Sequence, residues 1–261
     1  MTRTALDDAY ANAAHIAGSA AFPARWAAEA AAFRADAHAE LDIPYASDPG
    51  AGLDLFFPAG RPLGLMVFVH GGYWHSFGKS DWSHFASGAV GAGYAAAVLG
   101  YPLAPAIRVG QITRLVSQAV AVAAARVPGP VHLTGHSAGG HLVARLLLPD
   151  AAPPCADRIT RCVPISPLGD LRPLLPQTLN DTLRLTEDEA LQESPALHVP
   201  SVAAQVTVHV GAAERPSFLW QADRLARVWD VPCQHAPGRH HFDVIEDLRR
   251  PGSDLLRAVL G

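Results

Sequence analysis

The chain has 261 residues, of which 49% are apolar and 17% charged, with 22 glycines and 22 prolines. This composition excludes a disordered polyelectrolyte, whose weak hydrophobicity could not offset the entropy lost on ordering, and the absence of a glycine triplet repeat excludes collagen. The net charge is -4 and neither sign forms a block, which argues against nucleic acid or an anionic membrane as a partner.

The predicted elements alternate in type after an N-terminal helical segment. Residues 1–45 are predicted to be a helical extension, which ends at the breaker run 47–50. Strands and helices then follow in succession, which predicts a mostly parallel central sheet with helices on both faces. Residues 167–200, rich in Leu and Pro, are predicted to be a cap-like insertion that covers one end of the sheet, and the loops of residues 149–200 are expected to shape the mouth of the pocket. The predicted strands cover residues 53–57, 65–69, 94–99, 131–134, 161–165, 206–210 and 233–236, and the predicted helices cover 82–92, 109–126, 138–148, 218–229 and 248–260.

A nucleophile elbow is predicted between the strand at 131–134 and the helix at 138–148. Gly135-His136-Ser137-Ala138-Gly139 is a GxSxG sequence in that position. A sharp strand-to-helix turn holds such a serine in a strained backbone conformation, and small flanking residues avoid a clash. The sequence therefore indicates that Ser137 is a catalytic nucleophile.

A serine nucleophile needs a base and a carboxylate, which follow it along the chain in the order acid, then histidine. His241 comes after the last predicted strand, and His240 is its neighbouring rival, since only one of the two can face Ser137. Glu214 is the first carboxylate after the preceding strand and is the predicted acid. The alternatives are Asp170, Asp223 and Asp243.

An oxyanion hole is predicted in the loop after the strand at 65–69. His70-Gly71-Gly72-Tyr73-Trp74 follows that strand, and its paired glycines can turn their amides into the site. The predicted donors are the backbone N–H of Ala138 with that of Gly71 or Gly72.

The cysteine and histidine patterns predict neither a disulfide nor a metal site. Cys155, Cys162 and Cys233 match neither a CxxC pair nor a zinc ribbon and are interpreted as thiols in a reducing compartment. There is no HExxH among the 13 histidines, and His136 and His141 are five residues apart, on different helix faces. We expect no metal and no cofactor.

Two features favour a cytoplasmic location. No apolar run approaches the roughly 18 residues of a membrane span. Asp7 and Asp8 stand where a signal peptide would have its apolar region. We therefore expect a protein that is neither secreted nor anchored in a membrane.

With these motifs the sequence resembles the α/β-hydrolase superfamily, and within it the kynurenine formamidase (arylformamidase) group, which neighbours the hormone-sensitive-lipase-type esterases. Lipase-type esterases usually carry a third glycine where Tyr73 stands, so this loop is more specific than the elbow. The resemblance implies a single α/β-hydrolase domain over 1–261, triad roles for Ser137, Glu214 and His241, and an oxyanion role for the Gly71–Tyr73 loop. The matching stretches are 53–56, 70–74, 101–105, 135–142, 166–173, 194–195, Glu214 with Phe218 and Gln221, and 241–243.

Two positions depart from the pattern of this family. Animal members usually have Asp where Glu214 stands, so the longer side chain requires a loop slightly further from His241. The residue before the histidine is often Asn and here is His240. Both departures bear on the identity of the substrate.

Aromatic residues beside the oxyanion loop suit a flat aromatic acyl or leaving group. The predicted substrate contacts are His70, Tyr73 and Trp74, whereas Phe77 and Trp82 are expected in the core beneath the loop. Arg172 and Arg215 are candidates for binding a substrate carboxylate.

The sequence thus predicts a serine hydrolase that cleaves a small acyl group from an aromatic amide or ester, such as N-formylkynurenine to kynurenine plus formate, through an acyl-enzyme on Ser137. Two alternatives stay open, a short-chain carboxylesterase and a catalytically silent binding protein of the same fold. The expected partner is a small-molecule amide or ester, and a homodimer is left open.

Overall fold

A nine-stranded sheet runs through the centre of the computed structural model, which describes residues 2–261. The strands are β1 (Ala39–Pro44), β2 (Gly52–Phe56), β3 (Leu65–Val69), β4 (Ala95–Leu99), β5 (Val131–His136), β6 (Ile159–Ile165), β7 (Gln205–Val206), β8 (Val208–Gly211) and β9 (Cys233–Ala236). Their order is β1-β2-β4-β3-β5-β6-β8-β9, with β7 paired to β6. The pairs β1–β2 and β2–β4 are antiparallel and the others parallel. This confirms the mostly parallel sheet.

Helices surround the sheet. They are α1 (Arg3–Tyr10), α2 (Phe22–Asp36), α3 (Ser87–Gly91), α4 (Val109–Arg126), α5 (Ala138–Arg145), α6 (Asn180–Leu183), α7 (Glu187–Gln192), α8 (Pro216–Trp229) and α9 (Asp254–Leu260). Short 3-10 turns lie between them, and one of these, Ser83–Ala86, occupies the start of the helix predicted over 82–92. No helix of the described residues combines the length and the apolar character needed to cross a membrane.

Strand β3 shows why the sheet is buried on both faces. Its five residues are all apolar and all fully buried. Because successive side chains of a strand point to opposite faces, Leu65, Val67 and Val69 join one hydrophobic core while Met66 and Phe68 join the other. The continuous apolar run is thus explained by two cores, one on each side of the sheet.

The N-terminal segment differs from its prediction at one end. Helix α2 stops at Asp36, and residues 39–44 form the edge strand β1 instead of continuing the helical extension to residue 45. Only Ile43 of this strand is buried, so the sequence carries none of the alternation by which a half-buried strand is recognised. Pairing with β2, a tertiary contact, decides its conformation.

Candidate active site

Ser137 lies in a sharp turn between β5 and α5. Its backbone has φ 57° and ψ -115°, a conformation that residues with a side chain rarely adopt. The neighbouring glycines make room for the turn, since a Cβ at Gly139 would lie 2.0 Å from the carbonyl oxygen of Val69 and one at Gly135 would lie 2.4 Å from that of Gly139. The spacing of GxSxG therefore follows from backbone contacts between β3, β5 and α5.

His241 and Glu214 form a buried pair. The Nδ1 of His241 lies 2.6 Å from Oε2 of Glu214, and their side chains are 5% and 0% exposed. The other carboxylate oxygen accepts hydrogen bonds from the backbone N–H of Gly211, at 2.9 Å, and from the hydroxyl of Ser166. With one oxygen held by two donors, the second is aimed at the imidazole, which fixes the Nδ1–H tautomer and leaves Nε2 as the proton acceptor.

The ring of His241 is held between two other rings. Its centroid lies 4.3 Å from that of Phe218, on α8, and 4.7 Å from that of His136. His136 also donates from Nε2 to the carbonyl oxygen of His241, at 2.8 Å. Burial lowers the pKa of His136 well below its ordinary value, so this ring stays neutral beside His241.

His240, the rival histidine, packs against α2 instead of pairing with Glu214. Its ring packs edge-on against Phe22 with the centroids 5.6 Å apart, and its Nδ1 accepts from the backbone N–H of Phe242, at 3.1 Å. The nearby Asp243 accepts from the backbone N–H of His240, at 2.7 Å. His240 and Asp243 thus bind within their own loop.

The other two candidate acids are paired elsewhere. Asp170 binds Arg172 at 2.7 Å and Arg224 at 3.0 Å, and Asp223 binds His235 at 2.8 Å. Of the four carboxylates considered from the sequence, Glu214 is the one in contact with His241.

The loop after β3 lies against the elbow. A Cβ built on Gly71 would be 3.2 Å from the Cβ of Ser137, which places the Gly71 backbone beside the serine. Gly72 has φ 105° and Tyr73 φ 49°, so the loop turns sharply there. Within residues 2–261, the backbone N–H groups of Gly71, Gly72 and Ala138 donate to no protein acceptor. Free amides at a strand end and a helix start are what an oxyanion site requires.

A cavity of about 620 Å³ opens at Ser137 and His241. Its walls are largely apolar, and six aromatic side chains contribute to them. These are Tyr10, Trp26, Tyr73, Phe77, Trp82 and Phe242.

The structure corrects the expectation that His70 and Trp74 contact the substrate. Both are fully buried and neither lines the cavity. His70 stacks on Tyr101 with the centroids 4.3 Å apart, and burial lowers its pKa to about 4. Trp74 packs edge-on against His141, at 5.0 Å. Both side chains pack into the interior beneath the loop, where Tyr101 and His141 contact them.

Three further aromatic residues of that region do border the cavity. Tyr73, expected as a substrate contact, lines it, and its hydroxyl donates to the carbonyl oxygen of Tyr10, at 2.8 Å. Phe77 and Trp82 were expected in the core and also line the cavity, although Trp82 is almost completely buried. Phe77 ends a tight turn over residues 72–77, in which Gly72, Tyr73, Trp74 and Phe77 itself all have positive φ.

The cavity is covered by the N-terminal segment and not by residues 167–200. The residues of this segment that line it are 10–14, 19, 20, 23 and 26, whereas no residue of 167–200 lines it. The latter segment forms α6 and α7, and its Glu193 binds the buried Arg145 of α5, at 3.1 Å. No residue of 149–200 lines this cavity, so the expectation that these loops shape its mouth is wrong. Residues 167–200 instead pack against α5 and the start of α4, where Glu193 binds Arg145 and Glu189 binds Arg108.

A smaller cavity of about 290 Å³ also borders His241, and the residues that line it include Asn12, Glu214 and Arg215. Arg215 binds Asp8 at 2.9 Å, and Arg172 is committed to Asp170. Neither arginine lines the larger cavity, so the structure gives neither a role in binding a carboxylate there.

One group of possible metal ligands occurs within residues 2–261. Ligand atoms of Asp223, Cys233 and His235 all lie within 4.8 Å of one another, on α8 and the edge strand β9. The three residues are exposed or half-buried and lie outside both cavities. Sequence reasoning missed this group because the three residues match no ligand spacing along the chain.

Comparisons with known proteins agree with this geometry. A sequence model described as the alpha/beta hydrolase family matches residues 66–257. A kynurenine formamidase from Danio rerio is 29% identical over 225 residues, which cover 80% of this chain and 76% of the relative. One from Drosophila melanogaster is 27% identical over 215 residues, covering 74% and 71%.

Solved structures give a second line of comparison. A crystal structure from Silicibacter sp. TM1040, provisionally described as a thioesterase, is 49% identical, covers 98% of this chain and 99% of its own, and superposes with a TM-score of 0.96. Esterase B from Lactobacillus rhamnosis is 22% identical, with 87% of each chain covered and a TM-score of 0.65, which shows a shared fold.

Proposed function

The chain belongs to the α/β-hydrolase family and is a hydrolase, and from this premise we propose that it cleaves the formyl group from an aromatic amide of the N-formylkynurenine type. One observation carries the proposal. Ser137 and the Glu214-bound His241 border the same cavity, which is built mainly from aromatic and other apolar side chains. The relatives named kynurenine formamidase support the same substrate class.

In the first step, Ser137 Oγ attacks the formyl carbon while Nε2 of His241 takes the hydroxyl proton. Glu214 stabilises the resulting imidazolium through Nδ1. The charge that develops on the former carbonyl oxygen meets the N–H of Ala138 with that of Gly71 or Gly72, and removal of one such donor typically lowers the rate by about 10²–10³-fold.

In the second step, the C–N bond breaks and His241 returns the proton to the leaving nitrogen, which departs as the aromatic amine. The formyl group stays on Ser137 as an ester. Water then attacks that ester with His241 as base, the C–O bond to Ser137 breaks, and formate leaves as the serine regains its proton.

The shape of the cavity favours an aromatic leaving group. Trp26, Phe77 and Phe242 border it, and aromatic side chains bind a flat ring through apolar contact and edge-to-face packing. A formyl group is as small as an acyl group can be, so it makes the least demand on the space beside Ser137, where the Gly71 backbone lies close.

A short-chain carboxylesterase is the second candidate. The same three side chains hydrolyse esters, and the two solved structures described above are an esterase and a protein provisionally described as a thioesterase. Because the chain is an enzyme, the catalytically silent alternative is set aside.

The deciding experiment compares kcat/KM for N-formylkynurenine with kcat/KM for p-nitrophenyl acetate and butyrate. We expect the formamide to be preferred, and Ser137→Ala to abolish both activities and the labelling by a sulfonyl fluoride. A preference of several hundredfold for the esters would assign the protein to the carboxylesterases.

The location and assembly are part of the proposal. Three free cysteines favour a reducing compartment, and we propose that this compartment is the cytoplasm. Light scattering on the purified protein distinguishes a monomer from a homodimer.

A further inference from the structure

A group of three metal-binding side chains lies at the edge of the sheet, outside the cavities that border His241. Ligand atoms of Asp223, Cys233 and His235 all lie within 4.8 Å of one another. The side chains of Asp223 and His235 are 49% and 39% exposed and Cys233 is half-buried, so an ion can reach the group from solvent. The proposed serine mechanism uses none of the three, and hydrolysis therefore does not explain why they lie together.

One strand and one helix bring the three side chains together. Cys233 and His235 are two residues apart in β9, and alternate residues of a strand project from the same face of a sheet. Helix α8, which carries Asp223, packs against β8 and β9. There Oδ1 of Asp223 lies 2.8 Å from Nε2 of His235. The ligand atoms thus come from two elements of the fold and not from one loop.

The spacing of the ligand atoms suits a tetrahedral ion. Bonds of about 2.3 Å to sulfur and about 2.0 Å to nitrogen or oxygen place the ligand atoms of a tetrahedral zinc site about 3.2–3.6 Å apart. Those of Asp223, Cys233 and His235 are separated by 4.8 Å at most, so small side-chain rotations bring them to that distance. The fourth position is left to water, as in other zinc sites with three protein ligands.

The donor atoms select the class of ion. Thiolate sulfur is a soft ligand and imidazole nitrogen is a good ligand for zinc, whereas calcium and magnesium take oxygen ligands. The surface pair of Asp8 and His15 has the same separation, 2.8 Å, but among the described residues no third ligand joins it. That pair shows what an ordinary ion pair of the same two residue types looks like on this protein.

The charges around Asp223 also favour a cation. The adjacent Arg224 is directed elsewhere, toward Asp170 at 3.0 Å and over the ring of Trp220, 5.4 Å from its centroid. Across residues 2–261, the carboxylate of Asp223 pairs with His235 and with no lysine or arginine. Its negative charge is therefore available to a metal ion.

We propose that Asp223, Cys233 and His235 bind a zinc ion that clamps the edge strand β9 to α8. The thiol is protonated before zinc binds, because burial and the neighbouring Asp223 carboxylate raise its pKa to about 12. Binding replaces the S–H bond with a sulfur–zinc bond and releases that proton to solvent. The ion takes no part in hydrolysis.

The clamp acts on the last strand of the sheet. β9 pairs with β8 alone and ends at Ala236, whose carbonyl oxygen accepts from the backbone N–H of Ala212, at 2.8 Å. A ligand that binds the folded state and not the unfolded chain stabilises the folded state. Zinc should therefore raise the melting temperature of the protein.

Cobalt(II) gives the direct test, because a cobalt-bound thiolate has a charge-transfer band in the near ultraviolet. The protein is treated with EDTA, dialysed, and titrated first with Co²⁺ and then with Zn²⁺. We expect one Co²⁺ per chain with this band, its displacement by Zn²⁺, and a Kd for Zn²⁺ below about 10 μM near pH 7.5. With free zinc at about ten times Kd, the melting temperature should rise by about 3–6 °C.

Substitutions locate the ion. Cys233→Ser should abolish the band, and both Cys233→Ser and Asp223→Asn should weaken zinc binding by at least about 10-fold. Cys155→Ser and His15→Gln are the matched controls, because they remove a thiol and an imidazole that lie outside the group. Both controls should keep the band and the Kd of the wild type.

Three results would overturn the inference. They are the absence of the band in the wild type, unchanged zinc binding in both Cys233→Ser and Asp223→Asn, and loss of the band in Cys155→Ser. The wild-type band is read without any variant, so a variant that fails to fold does not block the test. Every readout is taken without substrate, so this inference and the proposed hydrolase activity stand or fall separately.

Discussion

The side chain of His136 donates a hydrogen bond from Nε2 to the backbone carbonyl oxygen of His241, at 2.8 Å. His136 directly precedes Ser137, so this bond ties the loop that carries the proposed nucleophile to the loop that carries the proposed base. The imidazole of His136 is buried and its pKa is lowered well below the ordinary value, which keeps the donating neutral form over the working range of pH.

We expect His136→Phe, which keeps a ring but removes the donor, to lower kcat by about 10-fold to 100-fold with little change in KM, because a displaced base loses alignment. His136→Gln can restore a donor and should recover part of the rate. Steady-state kinetics of the two variants test this. A loss confined to KM would show that His136 acts on substrate binding instead.

The two adjacent histidines provide a matched pair for assigning the base. His241 contacts Glu214, whereas His240 packs on Phe22. His241→Ala should lower kcat by about 10⁴-fold or more, since members of a catalytic triad act as a unit. His240→Ala should stay within about 3-fold of the wild type, as expected for a change outside such a unit. The reverse result in kcat would reassign the base to His240.

Much of the site geometry could be predicted from the sequence because it depends on short contiguous segments. The elbow around Ser137 and the loop at Gly71 and Gly72 each follow a strand whose apolar run is visible locally. The chain order then placed Glu214 and His241 at the ends of later strands. Parallel strands bring these ends to the same edge of the sheet, so the proximity of the four segments follows from the topology.

The cavity wall could not be predicted in the same way. Tyr10, Asn12 and Trp26 belong to a segment whose local pattern indicates helices but gives no sign of where they pack. The burial of His70 depends on Tyr101, which lies about thirty residues away in sequence and stacks on it. Such contacts are tertiary, and a single sequence does not encode them in any local period.

Buried neutral histidines should make the folded state sensitive to acid. Burial lowers the pKa of both His70 and His141 to about 4, whereas a histidine in the unfolded chain has a pKa of about 6.5. Below pH 6.5 the unfolded state therefore binds more protons than the folded state, so stability falls as the pH falls from about 6.5 toward 4 and is unaffected by these groups above that window.

Each such histidine contributes a slope of about 1.4 kcal/mol per pH unit within the window. We expect the free energy of unfolding, measured by urea titration at pH 6.0, 5.5 and 5.0, to fall steeply. His141→Gln keeps a donor for the carbonyl oxygen of Glu193, which His141 Nε2 contacts at 2.6 Å, and should reduce the slope by about that amount. An unchanged slope in this variant would contradict the assignment of His141.

Trp26 links the stability of the N-terminal segment to the shape of the cavity. It is 2% exposed, and its ring lies 4.8 Å from that of Trp82 and 5.5 Å from that of Phe242, measured between centroids. Trp26→Leu should remove aromatic surface from the cavity wall and raise KM for an aryl formamide by about 10-fold. It should also lower the free energy of unfolding by about 2–4 kcal/mol, because a buried indole leaves a void.

A loss of stability alone could change kinetics, so the experiment needs a variant with a similar loss elsewhere. Trp229 is also buried, and its indole N–H donates to the carbonyl oxygens of Pro195, at 3.1 Å, and His198, at 3.0 Å, away from the cavity. Trp229→Leu should lower the melting temperature comparably and leave KM unchanged, with both variants assayed well below their melting temperatures. If the two variants raise KM equally, the effect of Trp26 on substrate binding comes from general loosening of the fold, and the aromatic wall is not what recognises the leaving group.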